Sequence, residues 1–269
     1  MNRRARLLWS TAALPVVLLL ATLPANGQAG KADENASRAQ AMAVIDRMST
    51  FLTDAKQFSV AADVGYDIVQ EWGQKIEFGE TRVLSVRRPD RLRVDTTDRD
   101  GSVSGVVFDG KEIAVFDLQD KVYAIAEKPG TLGAAIGYFV NDLGMRLPMA
   151  AIISGQLTRI IGDWANQAEY VGQASIAGVA CDQVAFRGDW EDVQMWVARG
   201  DRPLLQRMVI TYTRAEGKPQ FWAQLRDWNL SPDLPDSFFA FTPPAGLAKI
   251  AFAPRGQVAG AMGAQAEPR

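Results

Sequence analysis

The sequence contains no histidine and a single cysteine, Cys181, in 269 residues. A Ser/His/Asp triad, a Cys/His dyad, a His-ligated metal and a CxxC pair therefore cannot be built within one chain. Cys181 has no intramolecular mate for a disulfide, and within Val179-Ala180-Cys181 it reads as a buried, inert strand thiol. Glycine-rich phosphate loops are missing too, because no Gly pair combines a strand, a loop and a helix start with GxGxxG or Lys-Ser/Thr. EF-hand spacing does not occur either. No cofactor and no metal are expected. With 23 Gly and 13 Pro but no triplet period, and with 48% hydrophobic and 22% charged residues, the chain is neither collagen-like nor disordered.

What is present begins with an address. Arg3, Arg4 and Arg6 precede an apolar stretch from Leu7 to Leu23, with small residues at Ala25 and Gly27. This is the order of a cleavable secretory signal over residues 1–27, cut after Gly27 or Ala29. Pro15 and Pro24 leave the apolar run short for a membrane span, and no Cys follows it to carry a lipid. The expected location is the periplasm, without a lipid anchor. Removing residues 1–27 takes three Arg and no acid, leaving a net charge of about −5, which argues against nucleic acid as a partner.

Ala41, Ile45, Met48 and Leu52 fall at helical spacing, which predicts one amphipathic helix from Glu34 to Asp54. From Phe58 the period becomes two, with Phe58, Val60, Ala62, Val64, Tyr66 and Ile68 on one side of a long strand. Further strands are predicted at Gly79 to Arg87, Arg91 to Thr97, Ser102 to Phe108, Glu112 to Phe116 and Val122 to Ala126. Asp100-Gly101 and Asp109-Gly110 give the best hairpin signals. The period lapses between Pro129 and Gly162, where Leu132, Ile136, Phe139 and Val140, then Leu147 to Ile153, read as short apolar helices. Strands resume at Glu169 to Ile176, Val179 to Phe186, Asp192 to Ala198, Leu204 to Tyr212 and Gln220 to Asp227.

About eleven strands in one run are too many for a flat open sheet. The expected fold is mainly β (α+β): a single, strongly curved antiparallel sheet forming an open half-barrel. The N-terminal helix and a central helical lid lie on its concave face. One domain is expected over residues 28–253, followed by an Ala/Gly/Gln-rich flexible tail at 254–269.

Such an interior is packed solid or holds an apolar ligand. The candidate lining is Phe58, Val60, Val64, Tyr66, Ile68, Leu84, Val86, Leu92, Val94, Phe116, Trp196 and Trp222 from the strands. Leu132, Ile136 and Phe139 come from the lid. Trp222 and Trp228 share one side of a strand by parity. The basic run at Arg87, Arg88, Arg91 and Arg93 reads either as a charged hairpin tip or as a contact for lipid headgroups or an acidic partner, giving a transient membrane-surface contact. Asp189, Glu191 and Asp192 form the dense carboxylate cluster, read as a solvated hairpin end or as acid/base groups.

Several segments carry a resemblance. Cys181-Asp182-Gln183-Val184-Ala185-Phe186-Arg187, Val193-Gln194-Met195-Trp196-Val197, Gly200-Asp201-Arg202-Pro203-Leu204 and Arg207-Met208-Val209-Ile210-Thr211-Tyr212 resemble the C-terminal half of an uncharacterised bacterial family. It is family 2092 of the domains of unknown function, predicted periplasmic proteins. Pro219-Gln220-Phe221, Asp227-Trp228-Asn229 and Phe241-Thr242-Pro243-Pro244 to Ile250 fit it as well, so the resemblance spans Ala41 to Ile250. The family pattern often has His where Gln183 stands, and an amide cannot exchange protons at neutral pH. The family is similar in architecture to the periplasmic lipoprotein carriers and outer-membrane lipoprotein receptors. That likeness implies an incomplete barrel with a helical lid over an apolar cavity.

Three functions follow as expectations. One is a non-enzymatic, monomeric periplasmic carrier or sensor for a lipid, an acyl chain or another apolar ligand. A second is an envelope protein-interaction module with a packed core. The third is an enzyme built on Asp182 with Asp189 or Asp192.

Overall fold

The computed structural model describes residues 26–252 apart from 144 and 146, with side chains described from residue 33. Residues 1–25 of the expected signal and the expected tail lie outside the described residues.

A long helix, α1 (Asn26–Asp54), leads into β1 (Gln57–Val69), β2 (Lys75–Arg87), β3 (Arg91–Asp98), β4 (Val103–Phe108), β5 (Glu112–Asp117) and β6 (Val122–Glu127). Short helices follow: α2 (Leu132–Gly137), a π-helical turn (Tyr138–Asp142), α3 (Ala150–Ser154) and α4 (Leu157–Trp164). The chain returns to strands in β7 (Gln167–Ile176), β8 (Val179–Arg187), β9 (Glu191–Ala198), β10 (Leu205–Tyr212) and β11 (Gln220–Asn229). It ends with a 3-10 turn (Asp236–Phe239) and a two-residue strand, β12 (Ala248–Lys249).

Among the described residues, twelve strands form one open sheet in the order β12-β6-β5-β4-β3-β2-β1-β11-β10-β9-β8-β7. The two meanders meet where β1 pairs antiparallel with β11, Tyr66 opposite Phe221. The sequence reading expects eleven antiparallel strands; β12 is the addition, and it pairs parallel to β6. Its two residues are too few to show a period.

One sheet face, the inner face, carries the helices. Ala41, Val44, Ile45, Met48 and Leu52 of α1 are buried in a core shared with Phe58, Val60, Ala62 and Val64 of β1. Their spacing of three, four and seven residues places them on one stripe. Each large side chain removed from water contributes about 1.5–3 kcal/mol. Contacts of α1 run chiefly to β7, with fewer to β8 and β9.

The outer face has a smaller core that the alternation does not predict. Residues after β11 cross it, burying Leu234 and Phe239 against Val107 and Phe116. Phe241 stacks on Phe116 at a centroid distance of 5.4 Å.

Candidate ligand cavity

The inner face over β2, β3 and β4 is not packed solid. A cavity of about 200 Å³ lies between the sheet and the lid. Leu84, Leu92, Val94, Val106 and Phe108 form its floor, and Ala135, Ile136, Phe139, Met149 and Ile153 its roof. The floor follows from strand pairing: Leu84 is opposite Val94, and Val94 opposite Val106, so three strands place branched side chains side by side. In the roof, Thr131 caps α2 by accepting the Ala134 amide, and the π-helical turn follows directly. This π-turn sets Phe139 into the core and leaves Val140 outside.

Among the described residues of the lining, Arg82 and Thr96 carry the polar side chains. The Arg82 guanidinium is paired with Glu80 on the same strand, so this end of the cavity is polar without a net charge from the pair. Tyr66 stands beside the same groups. Burial foremost, then the Glu80 and Asp98 carboxylates, push its hydroxyl above the ordinary phenol value.

A second, open groove of about 740 Å³ runs from the lid toward the β8–β9 turn, past Ile160, Trp164, Ile210, Tyr212 and Trp190. Met145, Leu147 and Ala150 line both the groove and the cavity, so one stretch of chain is the wall between them.

Of the lining residues expected from sequence, Leu84, Leu92, Val94, Ile136 and Phe139 line the cavity. Phe58, Val60, Val64, Val86 and Leu132 are buried in the solid core beside it. Tyr66 stacks on Phe78 at 6.1 Å, and Ile68 is exposed at the free end of β1. Phe116, Trp196 and Trp222 lie on the outer face, away from the cavity: Phe116 in the smaller core, and both tryptophans against the Arg207 guanidinium. Val106, Phe108, Met145, Leu147, Met149, Ala150 and Ile153 were not among the expected lining. Val106 and Phe108 alternate within a predicted strand and could have been added on that ground.

Trp222 and Trp228 face opposite sides, not one side. Ser59 pairs with Asn229 but Ala61 with Arg226, so β11 carries an extra residue, and Asp227 there has φ of +57°. A bulge of this kind reverses parity beyond it. Trp228 consequently packs on Phe58 in the inner core and donates its indole N–H to the Leu205 carbonyl at 3.0 Å.

The arginine run is occupied by the chain itself rather than offered as a free patch. Arg87 donates to the Leu234 carbonyl at 2.8 Å, pairs with Asp236 and lies over the Phe239 ring. Arg93 grips Asp95 and donates to the Phe238 carbonyl at 3.2 Å, while Arg91 pairs with Asp90 at 2.9 Å. Arg88 turns inward, donating to the carbonyls of Ile153 and Leu52. The run is thus the fastening of the C-terminal segment and of two helix ends.

The carboxylates do not converge. Asp182, on the inner face, meets Arg47 at 3.1 Å, Arg199 at 3.4 Å and the Tyr170 hydroxyl at 3.0 Å. Asp192 is held below the ordinary carboxylate range first by its bond from Arg187, and register places it on the other side of the sheet. Asp189 accepts from Asn166 at 2.7 Å in an exposed turn. Cys181 is buried, which pushes its thiol above the ordinary value. Among the described residues no three His, Cys, Asp or Glu side chains are grouped to hold a metal.

The chain is similar to an uncharacterized conserved protein of Thermus thermophilus, at 8% identity and a TM-score of 0.47, over 79% of this chain and 99% of that one. It is also similar to the lipoprotein LppX of Mycobacterium tuberculosis, at 14% identity and 0.46, over 74% and 100%. A LolA superfamily protein of Nitrosomonas europaea is similar at 13% identity and 0.36, over 75% and 97%. No curated protein matches the chain. A family model of predicted periplasmic proteins, DUF2092, matches residues 41–253, and the chain belongs to that family.

Proposed function

We propose that the protein is a periplasmic, non-enzymatic carrier or sensor, exported by a cleavable N-terminal signal, that holds an apolar group between the sheet and the lid. The observation that carries this reading is the cavity over β2–β4, walled by aliphatic and aromatic side chains, with Arg82 and Thr96 at one end the polar groups among the described residues. An apolar void of about 150 Å³ in a protein core stays dry and takes up benzene. At about 200 Å³ this one accommodates a ring or one short alkyl segment, not the two chains of a phospholipid. Its polar end suits an amphiphile whose tail enters first and whose head remains beside Arg82. The lid favours exchange, since α2 and α3 are only six and five residues long and hold little structure without the sheet beneath them.

The test is native mass spectrometry of protein purified from the periplasm without detergent, before and after solvent extraction. A stoichiometric extra mass that extraction removes, or uptake of one added medium-chain fatty acid per protein, is the expected result. A protein that stays free of ligand under both conditions would overturn the reading.

A further inference from the structure

The end of the sheet that carries the tip of the β1–β2 hairpin is unlike the rest of the surface. Pairing of β2 with β3 starts only at Glu80 opposite Asp98, so residues 75–79 extend past β3 as an overhang with β1. On the inner side of that overhang Ile68 is 43%, Ile76 38% and Phe78 43% exposed, and at its tip Trp72 is 72% exposed. The β10–β11 turn stands beside it: the Gln220 amide donates to Asp67 at 3.0 Å, and a β-carbon on Gly217 would touch Val69. That turn in turn holds the β8–β9 turn, where the Thr213 amide donates to the Trp190 carbonyl at 3.0 Å and Arg214 lies 4.5 Å over the indole. Trp190 is 64% exposed. One end of the molecule therefore presents two indoles, on the turns either side of the β10–β11 turn, with Ile68, Ile76 and Phe78 exposed between Trp72 and the polar rim of the cavity.

We infer that this end docks on the surface of a phospholipid bilayer, with Trp72 and Trp190 seated among the headgroups. The inference goes beyond the carrier reading and rests on it only for its purpose, the exchange of an amphiphile with the bilayer. Exposed apolar residues that gather at one end of a molecule mark a contact with a membrane or another protein, and tryptophan is enriched at membrane–water interfaces. The charges on these turns are mixed: Lys75, Arg214 and Lys218 stand with Asp67, Glu71, Asp189, Glu191 and Glu216, Lys75 pairing with Asp67 at 3.5 Å. That balance suits zwitterionic headgroups, for which attachment comes from ring burial rather than Coulomb attraction. The groove that begins at Trp190 continues to Met145, Leu147 and Ala150, the stretch that walls the cavity on its other side, so apolar side chains line the surface from the docking end to that wall.

Flotation of the purified protein with phosphatidylcholine vesicles tests this. The wild type is expected to float with the vesicles in 0.5 M salt as in low salt, with a blue-shifted tryptophan emission. Replacing both Trp72→Ala and Trp190→Ala is expected to reduce the bound fraction about tenfold, the loss expected when two rings leave the interface. Both residues are exposed, so the fold should persist, and Trp72→Ala alone, which touches neither the groove nor the cavity, should leave uptake of a fluorescent fatty acid without vesicles unchanged. Wild-type protein that stays in the soluble fraction, a double variant that floats equally well, or binding confined to anionic vesicles and abolished by salt would each overturn the inference. So would a concentration-dependent dimer that the double variant loses, which would assign the surface to a second copy of the chain. Fatty acid uptake without vesicle binding would defeat docking alone. Vesicle binding without uptake would defeat the carrier reading alone.

Discussion

The indole of Trp222 lies across the α-carbon of Gly65 on the outer face, so close that a β-carbon there would meet Cζ2 at 2.6 Å. The ring is held there from two more sides, since its N–H donates to Glu77 at 3.1 Å and Arg207 stacks at 5.3 Å. Phe116 covers Gly105 in the same way, with 2.6 Å from the would-be β-carbon to Cζ. In both places an aromatic ring fills the gap that a strand glycine leaves.

Replacement of Gly65 by Ala should therefore destabilise the protein by about 1–3 kcal/mol, the cost of overpacking. Relief from glycine's backbone entropy, worth about 0.4–1 kcal/mol, runs the other way and is smaller. Urea denaturation of Gly65→Ala in wild-type and Trp222→Ala backgrounds measures the coupling. If the penalty is the same in both, the ring is not what excludes the β-carbon.

Trp222 also shows where the sequence was legible and where it was not. Strand periods and the two Asp-Gly turns announce the order of eleven strands, and the helical stripe from Ala41 to Leu52 announces α1, because these signals are local. The side of the sheet a residue faces is legible only while the alternation is unbroken. Beyond Asp227 the bulge reverses it, so Trp228 joins the inner core although parity pairs it with Trp222. The fate of Arg87 and Arg93 depended on Leu234 to Phe239, some 145 residues further along the chain, and no local pattern carries that information. In the cavity, Leu84, Leu92 and Val94 follow from alternation, whereas Met145 and Leu147 lie in a stretch without any period.

Arg88 joins the lid to the rest of the core. One guanidinium donates to the carbonyl of Leu52, in the last turn of α1, at 3.3 Å, and to that of Ile153, in the last turn of α3, at 3.1 Å. A cation at helix C-termini satisfies carbonyls that have no helical partner and meets the negative end of each dipole. Arg88→Met should cost about 2–3 kcal/mol in denaturant unfolding. It should also raise hydrogen exchange across Ala150–Ser154 more than across β7–β11, with Arg88→Lys restoring part of both. Uniform faster exchange would mean that Arg88 supports the whole fold rather than the lid.

The Asp63–Arg226 pair gives a pH dependence of known sign. Arg226 donates to both carboxylate oxygens, at 3.0 and 3.2 Å, and Thr81 adds a third bond. Bonding from Arg226 is the main reason the Asp63 carboxyl is held below its ordinary value, and burial opposes it. A carboxyl depressed in the native state stabilises that state above its unfolded pKa of about 3.9, and the contribution is lost as the pH falls through the native value. Both side chains are partly exposed, so the pair is worth only about 0.2–1 kcal/mol at neutral pH. The stability gap between wild type and Arg226→Gln should be widest near pH 7, close under acid and shrink with salt. A gap independent of pH would show that Arg226 acts through packing.

Filling the cavity separates a ligand site from an accidental void. Val106 sits on the floor between Val94 and Val115, and the space above it reaches Ile136 and Phe139 in the roof. A phenylalanine at this position can place its ring in existing space, so Val106→Phe should unfold within about 1.5 kcal/mol of the wild type, as tolerated core exchanges do. If the void is the ligand site, fatty acid uptake should fall at least about tenfold, since the ring takes the room the alkyl segment needs. Val106→Ala should keep or improve uptake while losing stability to the larger hole. Val83→Phe, at an exposed outer-face position on β2, controls for added aromatic surface and should change neither property. Fluorescence titration of all three against the same probe decides the matter, because unchanged uptake by a folded Val106→Phe protein would move the ligand out of this cavity, leaving the open groove beside Trp164 as the place to look.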